Sequence, residues 1–254
     1  MKISPLIKQL ISILELGLFI NMKKIFLIII LISSTISAQN EFFIAGAGGG
    51  IYSPMGKLAD RFNSTIGFEL HAGKQISERW TWIGKLEYLK FDDVNNETLI
   101  LKKEVEVNNE QIIFDLPLGD VDMELEVIGL TANVGYNIFS NEILNTKFNF
   151  GFGLFRWISK RSGYSDSLFV DTSGTGGLKL ADVLNVPAVS QTDWSGGFSI
   201  GLDAAVKVFE PVWIYISGNY KAVIAELYPT LNLNLENVST FQMLNGKIGV
   251  RLKL

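Results

Sequence analysis

Lys247-Ile-Gly-Val-Arg-Leu-Lys-Leu254 ends the sequence and alternates without error. Ile248, Val250, Leu252 and Leu254 fall on one side, and Lys247, Gly249, Arg251 and Lys253 on the other. Period two is a β-strand with one apolar and one polar face. A helix is ruled out because apolar residues do not recur at three and four. A strand that closes a membrane barrel can end in this way, its last residue still paired and its apolar face toward lipid.

Seven further segments carry the same alternation: 42–53, 66–76, 80–91, 127–138, 147–157, 194–208 and 212–222. Each reaches the 9–11 residues that a tilted strand needs to cross a bilayer. In the first, glycines at 46, 48, 49 and 50 leave the parity open. In the fourth it is plain: Ile128, Leu130, Ala132, Val134, Tyr136 and Ile138 oppose Gly129, Thr131, Asn133, Gly135 and Asn137. The connections alternate too. Ser77-Glu-Arg79, Ser140 to Thr146 and Glu210-Pro211 are short, whereas Pro54 to Thr65, Asp92 to Glu126, Ser159 to Asp193 and Val223 to Gln242 are long. Strict alternation of short turns with long loops is the pattern of an outer-membrane barrel, the long loops being extracellular.

The apolar face carries rings near both ends of the segments: Trp80, Tyr136 and Phe148 at one, Tyr88, Trp194 and Tyr220 at the other. These are girdle positions. The polar face carries Glu69, His71, Lys85, Glu87, Lys147, Asp203, Lys207, Lys221, Lys247, Arg251 and Lys253. Eight strands leave an interior that side chains fill, so these groups are expected to form an ionic network in the lumen. Lys74 and Arg156 break the apolar face near strand ends, where long basic side chains snorkel.

Asp120, Asp122, Glu124 and Glu126 continue the fourth segment outward without a break in period, on the side that becomes apolar at Ile128. That switch marks an outer membrane boundary, beyond which the outward face meets water. Segment 92–126 holds eleven acidic and two basic residues. Residues 99–107 are a candidate antiparallel partner for 120–127 in a protruding ribbon, and a ten-strand barrel is the alternative if they enter the membrane. The four carboxylates form a weak candidate divalent-cation site, and a solvated ribbon face is the favoured reading. Asn63-Ser-Thr65, Asn96-Glu-Thr98 and Asn237-Val-Ser239 match the sequon pattern and are given no weight.

At the other end, Met22-Lys-Lys24 is followed by the apolar run Ile25–Ile32 and by the small residues Ser33-Ser-Thr-Ile-Ser-Ala38. This is the pattern of a cleaved secretory signal peptide; an uncleaved anchor is the weaker reading. Residues 1–38 are read as an N-terminal extension plus signal peptide, with Met22 the expected start, and 39–254 as the barrel. The chain has no cysteine and a formal charge of −4. Disulfides, thiolate metal sites and cysteine lipid anchors are therefore excluded. An acidic balance disfavours nucleic acid as a partner.

His71 is the sole histidine. As a catalytic base it needs a nucleophile and an orienting acid within reach, and a histidine held in the polar network is the favoured reading. Gly46 to Gly50 has Gly-x-Gly spacing but no helix after it, so a nucleotide-binding reading fails. No cofactor is called for.

The signal peptide ending Ile36-Ser-Ala38-Gln39, the stretch Leu125 to Phe155, and Lys247-x-Gly249-x-x-Leu252-x-Leu254 together resemble small bacterial outer-membrane β-barrel proteins. The likeness is to the OmpX and OmpA-membrane-domain type and to the outer membrane protein beta-barrel domain proteins of Bacteroidetes-like bacteria. The resemblance implies that the terminal pattern Lys247, Gly249, Leu252 and Leu254 is read by the barrel-assembly machinery, although Leu254 stands where the family usually has an aromatic ring. The expectation is an all-β, eight-stranded, antiparallel, up-and-down transmembrane barrel with both termini periplasmic. Its expected partners are outer-membrane lipid, the assembly machinery and an extracellular ligand or surface partner. The expected role is structural or surface-interaction and non-enzymatic. A narrow channel or transporter for small or apolar solutes is the alternative, and a surface hydrolase using His71 the third reading.

Overall fold

A computed structural model describes residues 42–107, 110–119, 121–171 and 178–254. The leader reading of 1–38 and Asp120 lie outside them. Twelve strands follow in order. β1 (Phe43–Met55), β2 (Thr65–Gln75), β3 (Trp80–Phe91), β6 (Met123–Ser140), β7 (Leu144–Arg161), β10 (Val189–Phe209), β11 (Val212–Val223) and β12 (Phe241–Lys253) form one closed antiparallel barrel. β4 (Ile100–Val107) pairs with β5 (Glu110–Pro117), and β8 (Tyr164–Asp171) with β9 (Leu178–Val186), as two separate hairpins. β1 closes the ring. It pairs with β2 on one side and β12 on the other, from Ile44 against Lys253 to Met55 against Gln242. The backbone of Leu254 is paired as well, exchanging two 2.8 Å bonds with Phe43.

The turns explain why the strands reverse where they do. At 77–80, Ile76 N donates to Trp80 O and Trp80 N to Ser77 Oγ. In the next turn, Asn141 Oδ1 accepts from the backbone N–H groups of Ile143 and Leu144, an Asx turn that substitutes for ladder bonds. Register shifts at Asn137/Phe139 and Lys207/Phe209 lie at this same end.

Sidedness is inverted relative to a water-soluble barrel. Phe68, Leu70, Trp82, Leu86, Leu130, Phe152, Leu202, Ile216 and Ile248 face outward and are exposed, while Glu69, His71, Glu87, Asn133, Lys147, Asp203, Lys247 and Arg251 are buried. An apolar belt running round the molecule is far beyond the few hundred Å² that a soluble surface tolerates, and its surroundings must be hydrocarbon. Trp80 packs edge-on against Tyr136, ring centroids 5.0 Å apart, at the turn end. Tyr88 and Trp194 stand exposed at the other end, beside Ile128 and Arg156. Trp80 and Tyr88 are separated by about 26 Å of strand at 3.3 Å per residue. Tilted by 35–45°, that length rises about 19–22 Å, which fits within the belt height of roughly 25 Å. Among the described residues no helix is long and apolar enough to cross a membrane; the strands make the crossing.

β6, β7 and β10 run beyond this belt, where the parity of burial continues but the polarity of the two faces inverts. Met123, Leu125 and Val127 are buried while Glu124 and Glu126 turn outward. The inward residues join Phe155, Trp157, Phe62, Phe91, Leu233, Val238 and Phe241 in one apolar core inside the barrel's hairpin end. Trp157 packs edge-on on Phe241 at 5.3 Å and donates from Nε1 to Ser195 Oγ at 2.9 Å.

The ribbon differs from expectation. Residues 100–107 pair with 110–117, not with 120–127. Residues 123–127 belong to the barrel wall, where Met123 to Val127 find partners in Arg161 to Trp157 of β7. The long wall strands satisfy that backbone, and 100–107 are left to pair locally. The hairpin β8–β9 lies in a stretch read as loop.

Candidate functional site

The inward side chains form two layers in the lumen. The first is centred on two carboxylates. Glu69 (β2) and Glu87 (β3) are both bonded by Lys247 from β12, which reaches Glu87 Oε1 at 3.0 Å and also contacts Glu69 Oε2. Lys85 Nζ lies 3.5 Å from Glu69. Lys221 of β11 binds the other oxygen of Glu87, and the Tyr52 hydroxyl donates to Glu87 Oε1 at 3.1 Å. β2 and β3 are thus tied to β11 and β12 through the interior. Lys221 also sits 5.3 Å from the Phe155 ring centroid and 5.8 Å from that of Tyr52, where the ionic layer meets the apolar core.

The second layer lies nearer the tight turns. Arg251 grips Asp203 with both terminal nitrogens, at 2.9 and 2.7 Å. Its Nε donates to His71 Nε2 at 3.4 Å. That nitrogen is therefore the acceptor, and the ring proton belongs on Nδ1, 3.2 Å from Glu69 Oε1. The guanidinium stacks 4.5 Å from the Tyr215 ring centroid, and the His71 ring meets Tyr215 edge-on at 5.3 Å. Two glycines make room for this stack. A Cβ on Gly46 would fall 2.5 Å from His71 Nε2, and one on Gly48 would fall 2.2 Å from the Tyr215 hydroxyl. Gly46 and Gly48 are thus lumen-facing and Gly49, against Phe68, faces outward, which settles the parity of the first strand.

The expected lumen residues Glu69, His71, Lys85, Glu87, Asp203 and Arg251 meet in these two layers, and Lys247 joins them from the terminal pattern. Lys207 stands apart. It lies beside the bulge at the turn end and donates to Glu210 at 2.6 Å. Lys147 is buried opposite Asp203 in register, but its Nζ has no hydrogen-bond partner among the described residues. Tyr52, Trp213 and Tyr215 share the parity of the ionic residues, which was the signal for them in the sequence; their rings hid it. No serine or threonine hydroxyl is hydrogen-bonded to His71 among the described residues.

At the turn end the lumen opens into a vestibule of about 1080 Å³ whose walls include Asn137, Trp213 and Lys253. The next inward residue on β12 is Arg251, clamped on Asp203.

The acidic face beyond the belt is neutralised locally. Glu124 lies 2.9 Å from both Lys90 and Lys160. Hydrogen bonds from those two lysines pull its carboxyl below the ordinary value, and Glu124 raises both lysines in turn. Asp122 accepts from Ser162 at 2.8 Å. Among the described residues no group of three or more acidic or histidine side chains is placed to hold a metal ion.

No protein-family model matches the sequence, and no curated protein matches it. Solved structures do. A major outer membrane protein from Thermus thermophilus superposes with a TM-score of 0.53 at 10% identity, covering 85% of this chain and 100% of that one. The chain has the fold of an outer-membrane β-barrel. Neisserial surface protein A is similar at a TM-score of 0.40 and 14% identity, covering 85% of this chain and 100% of its own. Ail, the attachment invasion locus protein of Yersinia pestis, is similar at 0.39 and 13%, covering 84% and 97%.

Proposed function

We propose that this chain is an integral outer-membrane barrel with a closed lumen and a non-enzymatic structural or surface-interaction role, its hairpin end facing outside the cell. One observation carries the reading: the lumen is blocked twice over. Lysines and an arginine cross-link the carboxylates of the ionic layers, and the apolar core fills the barrel beyond them. A solute entering the vestibule meets a bidentate ion pair and then a packed interior. Outer-membrane barrels place short turns in the periplasm and long connections outside. On that rule the tight turns, with Phe43 and Leu254 beside them, face the periplasm, and the hairpins face outward. The terminal residues Lys247, Gly249, Leu252 and Leu254 would then be presented to the assembly machinery.

The channel reading is separated by planar-bilayer recording on the purified barrel. The expected record is free of steady openings; sustained, ohmic conductance would overturn the closed-lumen reading. An epitope inserted between β4 and β5 should be labelled on intact cells, and labelling only after lysis would reverse the orientation. For the hydrolase reading the test is His71→Ala, since an esterase or peptidase activity lost in that variant would replace the non-enzymatic assignment.

A further inference from the structure

We propose that a cleft at the hairpin end, between Arg61 and Arg161, binds the phosphate or sulfate group of a soluble ester. Arg61 lies in the connection from β1 to β2, and Arg161 is the last residue of β7. Both line a cavity of about 160 Å³, shared with Lys160, Gln191, Tyr228 and Thr230. That volume is roughly five times one water's share of the liquid, about 30 Å³, enough for a tetrahedral oxyanion and the start of its ester.

The charge arrangement is what calls for a ligand. The Arg61 side chain is only 6% exposed, and it donates to the carbonyls of Tyr228 and Glu236 at 3.0 and 2.7 Å. Arg161 donates to Pro187 O at 3.0 Å and to the Thr230 hydroxyl. All four acceptors are neutral. Among the described residues no carboxylate makes an ion pair with either guanidinium. Glu236 is held by Lys57 and Glu124 by Lys90 and Lys160. Among the described residues the Nε of each arginine is buried without an acceptor. Burial first, and then the charge of Arg161, draw the Arg61 guanidinium down to about 10, and Asp60 offsets less than Arg161 imposes. Two unneutralised guanidinium groups on one cavity wall form an oxyanion site, because their donors match tetrahedral oxygens in a fixed fork. Tyr228, largely exposed on the same wall, offers a ring to the organic part of an ester.

The height of the site argues for a soluble source. Arg161 lies five residues beyond Arg156, the level of the exposed Trp194. That is roughly 16 Å of strand past the belt, away from bilayer phosphates.

The inference rests on the surface-interaction reading, and its test uses the full barrel in uncharged maltoside micelles, titrated calorimetrically with inorganic phosphate, glucose 1-phosphate and a phosphate-bearing lipid. Inorganic phosphate and glucose 1-phosphate should each bind saturably at one site. Arg161→Gln should weaken both by about tenfold or more, while Tyr228→Ala should weaken only the sugar ester. Arg161 is the less buried of the pair, and the variant's fold is checked by its retained β-sheet circular dichroism. Three results would each overturn the proposal: no saturable binding of inorganic phosphate, binding indifferent to Arg161→Gln, or binding of the lipid alone. Such a failure leaves the closed lumen standing, since conductance reads the ionic layers and calorimetry reads the cleft.

Discussion

Arg251 on β12 clamps Asp203 on β10 across the intervening strand β11, with both terminal nitrogens engaged at 2.9 and 2.7 Å. The pair is buried, so breaking it strands a charge. The two ways of breaking it differ. Asp203→Asn leaves Arg251 and Lys147 facing each other without an anion, and should cost about 3–5 kcal/mol. Arg251→Met leaves Asp203 opposite Lys147 in register, where a substitute pair can form, so its cost should be clearly smaller. Urea unfolding of the barrel in lipid vesicles, followed by tryptophan fluorescence, measures both. Equal costs would mean that Lys147 does not see Asp203.

Lys147 itself should be a liability in the native protein. Its Nζ is buried and has no hydrogen-bond partner among the described residues, while both oxygens of Asp203 are held by Arg251. Lys147→Met should therefore stabilise the barrel, by roughly 1–3 kcal/mol, the desolvation penalty of an unsatisfied buried group. In the Arg251→Met background the sign should reverse, because Lys147 then carries the cation in register with Asp203. This double-mutant cycle isolates the coupling. A Lys147→Met effect of the same sign in both backgrounds would exclude that substitution of partners.

The strands and the polar face were legible because a barrel wall in lipid writes its sidedness directly into period two, as in Ile128 to Ile138 or Lys247 to Leu254. The partnerships were not legible. Lys221 and Glu87 are 134 residues apart, and closure of the ring with its register brings them together. Gly46 to Gly50 had no readable parity, since a glycine shows neither face until Tyr215 and His71 are known to lie over it. The change at Glu126/Ile128 did announce the belt's edge. The apolar core beyond it draws Phe62, Leu233 and Val238 from irregular connections, which carry no period. Arg61 was invisible for the same reason.

The stack over β1 gives a test of packing. Gly48→Ala places a methyl 2.2 Å from the Tyr215 hydroxyl and 2.9 Å from Ile248 O, and should destabilise by about 1–3 kcal/mol, as overpacking does. Tyr215→Phe should be mild alone, since that hydroxyl has no hydrogen-bond partner among the described residues, and should recover part of the loss in the double variant. Gly84→Ala, whose nearest neighbour is 3.7 Å away on the outward face, is the control and should be close to neutral. If Gly48→Ala matches the control, Tyr215 does not rest on β1 as described.

Glu124 offers a pH test outside the membrane. Hydrogen bonds from Lys90 and Lys160 lower its carboxyl in the folded barrel. A depressed folded-state value means that the stabilisation is fully present above the unfolded glutamate value of about 4.3. It is lost as pH falls through the lower folded value. All three side chains are solvent-facing, so the energy is small and the direct readout is the titration of Glu124 by NMR. Its midpoint should lie below the ordinary value in the native barrel and return to it when Lys90 and Lys160 are both replaced by Met. The Lys160→Met variant alone should move it partway, because Lys90 still lies 2.9 Å from Oε2. An unchanged midpoint in the double variant would show that the lysines on β3 and β7 do not converge on Glu124 in solution, and the neutralised outer wall beyond the lipid belt would have to be redrawn.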